Sequence, residues 1–345
     1  MGFDNKKSIT LSIGIPTYNG GKHIKETLDS IVSQLNDVNE EIEIVISDNA
    51  STDETPEIIK DYQNRYGIIK YFRNGQNVGF DRNVDLLFER AIGKYVWLLS
   101  DDDLILPGSI RKVLKVLSKH PELAAVFVNW SNYSCDLKKC NVERTINISE
   151  DILCKTADEF LSTVKLNPVL ISANVISRDL WKSIYQNDPI GAGWAHYKTL
   201  LSLIVGHHTY CIAQPYVIYR SGNTRWNKEG EQSILNGITL MQIINSLISR
   251  GYSRKSVGAT ARVILLSQPQ GILICKIQGL SLKKFRIGDM IKQFNRYPSF
   301  WLSSFPLLLI PESFYSIIFK AREIKFLRNI YKILKKGVKY VFIRT

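Results

Sequence analysis

A chain of 345 residues with 45% apolar and 22% charged residues has the makeup of an ordered globular protein, which excludes general disorder. Its net charge of +13 is lopsided, because residues 281–345 hold 14 Lys/Arg against Asp289, Glu312 and Glu323 and so carry +11 of it. That pattern predicts a near-neutral catalytic body and a basic tail that meets an anionic surface, either nucleic acid or lipid.

In chain order, residues 9–15 form a short apolar run that predicts a first strand, ending in the turn Pro16-Thr17-Tyr18-Asn19-Gly20-Gly21. Helical periodicity through Ile24, Leu28, Ile31, Val32 and Leu35 predicts a helix over 22–35. A second strand, 42–46, leads into Ser47-Asp48 and then Ser51-Thr52-Asp53. A helix over 56–66 is expected next, with Thr55 as its N-cap and Pro56 at the first helical position. Strand 68–72, helix 80–91, strand 95–99, helix 107–119 and strand 123–130 complete an alternating series. Such alternation predicts an α/β fold with a doubly wound, mostly parallel sheet. Beyond Trp130 the pattern loosens into a strand at 169–176, a helix at 197–205 and an extended segment at 210–219 broken by Pro215. From Ser233 onward helix dominates. The expected division is a nucleotide-binding, catalytic domain over 1–230 and a helical C-terminal region over 231–345.

The five cysteines (135, 140, 154, 211, 275) are scattered and lack paired zinc spacing, and no secretory leader precedes the first strand. Free thiols in a reducing cytosol are the expectation.

The most informative stretch is Tyr95-Val-Trp-Leu-Leu-Ser-Asp101-Asp102-Asp103, three carboxylates where a buried strand should emerge. Adjacent carboxylates repel one another and resist desolvation. A hard divalent cation, Mg²⁺ or Mn²⁺, compensates them and commonly bridges to phosphate. The second strand also ends in a carboxylate, Asp48, and that position commonly accepts from ribose hydroxyls or a base edge; capping of the next helix by Asp48 or Asp53 is the structural alternative. Glycine-rich phosphate loops of the dinucleotide and Walker types are absent.

Taken in order, Pro16-x-Tyr18-Asn19, Asp48 with Ser51-Thr52-Asp53, Asn77-Val-Gly79-Phe80 with Asn83, and the aspartate cluster followed by Leu-Pro-Gly108 resemble the family 2 glycosyltransferases of the GT-A fold. The resemblance covers residues 9–130 well and extends loosely to about Trp226. It implies a nucleotide-sugar donor, a divalent metal on its diphosphate, and transfer to an acceptor hydroxyl with inversion. It further implies that Pro16, Thr17, Tyr18, Asn19, Asp48, Ser51, Asn77 and Gly79 surround the donor, with Pro16, Tyr18 and Asp48 at base and ribose. Asp102 becomes the favoured metal ligand, Asp103 the alternative, and Asp101 faces the ribose or a metal-bound water. Ser100 stands where the family pattern usually has a further aspartate, which leaves the division of labour open. Arg82 is expected at the diphosphate or else on a solvated helix face, and Arg220 or Arg225 at the diphosphate.

In that family the base that takes the acceptor proton is usually an acid opening a later helix. Here Gly191-Ala-Gly-Trp194-Ala195-His196-Tyr197 occupies the place without an acid, so His196 and Asp188 are the candidates. Trp194, Tyr197 and Trp226 are candidates for stacking against acceptor sugars or for plain core. The run 194–196 and the segment Tyr219-Arg220-Ser-Gly-Asn223 are similar to deoxysugar transferases of the abequosyltransferase type. The resemblance therefore points to bacterial O-antigen-like polysaccharide and a lipid-linked oligosaccharide acceptor.

Residues 297–311 are uncharged and aromatic-rich but too short to span a bilayer, and 313–339 mix apolar with basic residues as an interfacial element on anionic lipid does. A peripheral place on the cytoplasmic face of the membrane follows. A sugar-nucleotide nucleotidyltransferase, a metal-dependent phosphatase and a basic nucleic-acid-binding protein are the rivals. The first lacks its Gly-rich, Arg-containing loop, and the second lacks an aspartate at the end of the first strand. The third leaves the aspartate triplet facing phosphate unexplained, so no nucleic-acid partner is expected.

Overall fold

The computed structural model describes residues 9–38, 41–185, 193–222, 229–277 and 287–311. The chain divides into two compact units, Met1–Gly222 and Asn223–Thr345.

The first unit begins with β1 (Leu11–Thr17), α1 (Gly21–Val32), β2 (Ile42–Asp48), α2 (Thr55–Arg65), β3 (Ile69–Arg73), α3 (Phe80–Arg90) and β4 (Tyr95–Leu98). Every residue of β1, β2 and β4 is buried, as expected of continuous apolar runs covered on both sheet faces. The four strands pair in parallel in the order β3-β2-β1-β4. Strand order thus reverses between β1 and β4, and in open α/β sheets the crevice at the carboxyl ends beside such a reversal is where ligands bind.

The sheet continues with β5 (Leu104–Ile105), α4 (Ser109–Lys119), β6 (Ala125–Tyr133), β7 (Cys140–Val142), β8 (Ile152–Cys154), α5 (Ala157–Val164), β9 (Asn174–Ser177), α6 (Arg178–Tyr185), α7 (Ala195–Leu203) and β10 (Thr209–Arg220). Its full order is β3-β2-β1-β4-β9-β6-β10-β5, with β7 on β6 and β8 on β10. β9 runs antiparallel between β4 and β6. The expected strand over 169–176 is therefore mostly replaced by two short 3₁₀ turns, and only its end joins the sheet. The physical reason is Asn174, whose side-chain amide donates to the carbonyls of Pro168 and Leu170 and holds the turns closed. The register of β10 against β6 shifts between Ile212 and Val217, around Pro215, which has no N–H for the ladder. Thr55 is the first helical residue of α2 rather than its N-cap. The Asp53 carboxylate accepts from both its N–H and its hydroxyl, which satisfies the helix start from outside.

The second unit is helical where described: α8 (Glu229–Ser246), α9 (Arg254–Ile277), α10 (Ile287–Phe294), a π-helical turn Phe300–Ser304 and α11 (Phe305–Leu309). α8 and α9 pack on each other, and Met241 and Ile244 of α8 and Ala261 and Ile264 of α9 are buried. No helix among the described residues is long and apolar enough to cross a membrane. The expected interfacial element over 313–339 lies outside the described residues.

Candidate active site

The three aspartates after β4 have three different environments. Asp101 turns toward β1 and accepts from the Thr17 hydroxyl at 2.6 Å, a bond that crosses the strand-order reversal. Asp103 is 1% exposed, accepts from the Ser172 hydroxyl at 2.6 Å and receives the backbone N–H of Arg220 at 3.1 Å. Burial, reinforced by the negative charge of Asp102, pushes the Asp103 carboxyl well above the usual carboxylate range. Asp102 is half-exposed, and the Ser100 hydroxyl donates to it at 2.5 Å. The turn thus buries its two outer carboxylates as anchors and leaves the middle one nearest solvent. Asp103, the alternative metal ligand, is consumed by the fold.

Gly20 is required for this arrangement, because a Cβ there would stand 2.3 Å from an Asp101 carboxylate oxygen and 2.6 Å from the Thr17 hydroxyl. Arg220 locks the turn from the other side. Its Nε donates to the Asp102 carbonyl at 2.9 Å, one terminal nitrogen to the Cys135 carbonyl at 2.8 Å, and the other pairs with Glu26 of α1. At 3% exposure its guanidinium is committed to holding protein, so it differs from the expected diphosphate clamp. Arg82 differs too: it pairs with Asp85 and Glu89 on its own helix, the solvated-face alternative. Arg225 lies outside the described residues.

The loops after β1 and β2 are stitched into one wall. Asn19 donates its N–H to the Ser51 hydroxyl at 2.9 Å and accepts from the Thr52 N–H at 2.8 Å. Asn19 and Ala50 take left-handed backbone conformations, φ 51° and 65°, and for alanine this costs on the order of 1 kcal/mol. The turn around Ala50 returns the N–H and hydroxyl of Ser51 to one oxygen of Asp48, at 2.9 and 2.5 Å. The other oxygen accepts from the Tyr71 hydroxyl at 2.7 Å, with Arg73 at 3.6 Å. Asp48 is fully buried, so it organises this wall from within. Pro16 and Thr17 are buried in β1, whereas Tyr18 stands 41% exposed at the rim. Beside them an open depression of about 280 Å³ is lined by Ser51, Thr52, Asp53, Pro56, Glu57, Lys60 and Arg73. Burial pushes the Asp53 carboxyl up, but bonds from Thr55 and Gly21 outweigh it and leave the group below its ordinary value.

Asn49 joins this wall to the next loop. Its amide donates to the Asn77 side chain at 2.8 Å and the Gly79 carbonyl at 3.2 Å, and its carbonyl accepts the Val78 N–H at 2.9 Å. Gly79, at φ +84°, then opens α3. Asp81 in the first turn of α3 receives the N–H groups of Gly193 and Ala195, at 3.0 and 3.2 Å. A carboxylate therefore does stand at the opening of α7, contributed from 112 residues away in the chain. His196 lies in the first turn of α7 with its side chain buried. It is 4% exposed, its Nε2 lies 3.0 Å from the Val169 carbonyl, and its Nδ1 is buried without a partner. Desolvation lowers its pKa to about 4, so its imidazole is neutral at physiological pH and enclosed by protein. Tyr197 is fully buried, with its hydroxyl 3.3 Å from the Lys165 carbonyl, and belongs to the core. Trp194 remains half-exposed at the start of α7. Asp188 and Trp226 lie outside the described residues.

The carboxyl edge of the sheet is thus ringed, in sequence of contact, by Asp48, Asn49, Asn77–Gly79, Asp81, the start of α7, Val169, Ser172 and the aspartate turn. Thr17 is among the residues the sequence singles out, and Asn49 directly follows another, Asp48. Glu26, Asp81 and Ser172 carry no local signal, since each acts on a partner far away in the chain.

The first unit thus combines a mostly parallel sheet with polar residues at its strand reversal, where Asp102 is the most exposed of the three aspartates. Residues 12–166 of the chain match the model of Glycosyl transferase family 2. The chain is similar to Abequosyltransferase RfbV of Salmonella typhimurium, 29% identical over 274 residues, which are 75% of this chain and 81% of that one. It is 30% identical over 164 residues to the GalNAc(5)-diNAcBac-PP-undecaprenol beta-1,3-glucosyltransferase of Campylobacter jejuni, 45% of this chain and 51% of that one. Other curated relatives are matched over only 34% of their own length. Among solved structures, the mannosyltransferase PcManGT of Pyrobaculum calidifontis, in complex with GDP-Man and Mn²⁺, shares the fold with a TM-score of 0.53 at 17% identity, over 93% of this chain and 89% of that one.

Proposed function

We propose that the protein transfers a sugar from a nucleotide-sugar donor to a hydroxyl of a lipid-linked oligosaccharide, in the assembly of a bacterial surface polysaccharide at the cytoplasmic face of the membrane. The observation that carries this reading is the aspartate turn, in which Asp101 and Asp103 are anchored inward and Asp102 is left at the crevice. The transfer activity itself rests on the family domain. The named acceptor of the Campylobacter relative, an undecaprenol diphosphate saccharide, supports a lipid-linked acceptor, and the name of the Salmonella relative, an abequosyltransferase, supports sugar transfer.

A divalent cation fits this site. Among the described residues no group of three or more His, Cys, Asp or Glu side chains is placed to hold a metal ion by itself. Mg²⁺ and Mn²⁺ in such enzymes are held by one or two carboxylates, with substrate phosphates and water completing the shell, so Asp102 with the donor is a sufficient set. When bound, the ion would neutralise charge on the leaving nucleoside diphosphate. The stitched wall of Asn19, Ser51 and Asp48 supports the nucleoside, with Tyr18 at its rim. Trp194 offers a half-exposed ring to the acceptor.

In the reaction the acceptor hydroxyl oxygen bonds to the anomeric carbon as that carbon's bond to the diphosphate breaks. Attack from the opposite face inverts the anomeric centre, the habit of the resembled family. The hydroxyl proton passes to a carboxylate at the start of α7. Asp81 stands there in space and Asp188 precedes the helix in sequence, and Asp81→Asn and Asp188→Asn decide between them. Calorimetric titration with UDP-, GDP-, CDP- and dTDP-sugars, with and without Mn²⁺, tests the whole reading. One class should bind with metal-enhanced affinity and be turned over; no binding by any of the four would overturn the proposal.

A further inference from the structure

The helical unit presents an apolar surface that the transfer chemistry does not use. Residues 297–311 contain no charged side chain. Within them Leu302 is 83% exposed, Leu309 67% and Trp301 40%, an unusual outlay for large apolar residues in water. The segment is held firmly. Phe300 is fully buried and stacks on Phe294 at 5.5 Å. The Tyr297 hydroxyl donates to Asn245 at 2.8 Å, and the Trp301 indole N–H to the Asn295 carbonyl at 2.8 Å. At its far end Lys276 of α9, only 2% exposed, donates its ammonium to the carbonyls of Leu308, at 3.0 Å, and Ile310. Enclosing a lysine is costly unless its charge is met, so this contact fixes the end of α11 firmly. One side of the segment anchors in the core while the other holds Trp301, Leu302 and Leu309 outward.

We infer that this wedge seats in the headgroup boundary of an anionic lipid bilayer. Charge selects that occupant. Lys292 and Arg296 are exposed immediately before the run, and the sequence after Pro311 adds nine Lys/Arg against Glu312 and Glu323. An apolar wedge flanked by basic residues matches an interfacial anchor, with tryptophan at the headgroup level and lysine and arginine on the phosphates. A second copy of the chain would bring the same positive charge to the face, and nucleic acid offers nothing for Leu302 or Leu309 to enter. The inference rests on the membrane-borne acceptor of the proposed function for its biological sense. The two fail separately, because lipid binding is measured without donor or acceptor.

The test is flotation of the full chain with phosphatidylcholine vesicles, with and without phosphatidylglycerol, comparing the native protein with the Trp301→Ser/Leu302→Ser/Leu309→Ser variant. Native protein should float with anionic vesicles only, and the variant should partition at least about tenfold less, given three large apolar groups withheld from lipid. In a Trp301→Phe variant, quenching by brominated lipid should fall while flotation persists. Equal flotation of the triple variant would overturn the inference and leave the basic tail as the whole anchor. Loss of a dimer in the variant with unchanged flotation would assign the face to self-association and also overturn it.

Discussion

Replacing Arg220 by methionine keeps most of the side chain's volume and removes every guanidinium contact. Two backbone carbonyls, of Asp102 and Cys135, lose their donors, and Glu26 loses its partner. Leaving a buried acceptor unsatisfied costs ~1–3 kcal/mol. Cys135 is only half-buried, so its carbonyl sits at the low end of that range. The Glu26 side chain is 54% exposed, and a pair of that kind adds under ~1 kcal/mol. The sum is about 2–5 kcal/mol, which for a unit of this size lowers the unfolding midpoint by roughly 4–20 °C. The backbone bond from Arg220 to Asp103 survives, so the turn loosens rather than dissolves. Scanning calorimetry of the full chain, paired with donor titration well below the midpoint, separates the two roles open to this residue. An anchor loses stability first, and Glu26→Gln should then cost little. If Arg220→Met leaves the midpoint within a degree or two of native and abolishes donor binding, the anchor account is refuted and the arginine is a diphosphate ligand.

Three further outcomes are expected. Burial holds the His196 imidazole near 4 against an ordinary 6.5, so on acidification the unfolded chain takes up the proton first. Stability present above pH 6.5 is therefore lost as pH falls toward 4, by about 3 kcal/mol, and urea midpoints of His196→Gln should lack that stretch of decline; an identical pH profile in the variant would contradict the assignment. Gly20→Ala drives a methyl group into the Asp101 carboxylate and should lower transfer at least about tenfold while shifting the midpoint only modestly, as displacement of a catalytic turn does; native-like turnover would show that Asp101 can sit elsewhere. Asp81→Asn should leave donor affinity unchanged while kcat falls and acceptor KM rises, and a variant that loses donor affinity instead would place Asp81 on the donor side.

The parallel half of the sheet was legible because its strands are continuous apolar runs and its helices carry clear apolar stripes. Strands β5, β7 and β8 are two or three residues long and leave no periodic trace. The short helices α5 and α6 span eight residues each, below the length at which sequence periodicity speaks clearly. At the site, the aspartate triplet and Asp48 stand out because uncompensated charge at a strand end needs explaining. Their separate roles depend on contacts that no local pattern encodes. Thr17 meets Asp101 across 84 residues, Ser172 meets Asp103 across 69, and Arg220 meets Glu26 across 194. The same holds for the acid at the opening of α7. Sequence order suggests His196 or Asp188 because the helix itself lacks a carboxylate, whereas packing brings Asp81 to it from α3 and buries the histidine.

The central claim is that Asp102 is the protein's own ligand for a cation shared with the donor diphosphate. Calorimetric titration of Mn²⁺ into native protein and Asp102→Ala, each saturated with the nucleotide-sugar selected by the donor screen, addresses it most directly. The account predicts a one-to-one Mn²⁺ isotherm for the native protein and none for the variant, whose thermal midpoint stays close to native. An unchanged isotherm in Asp102→Ala would contradict it.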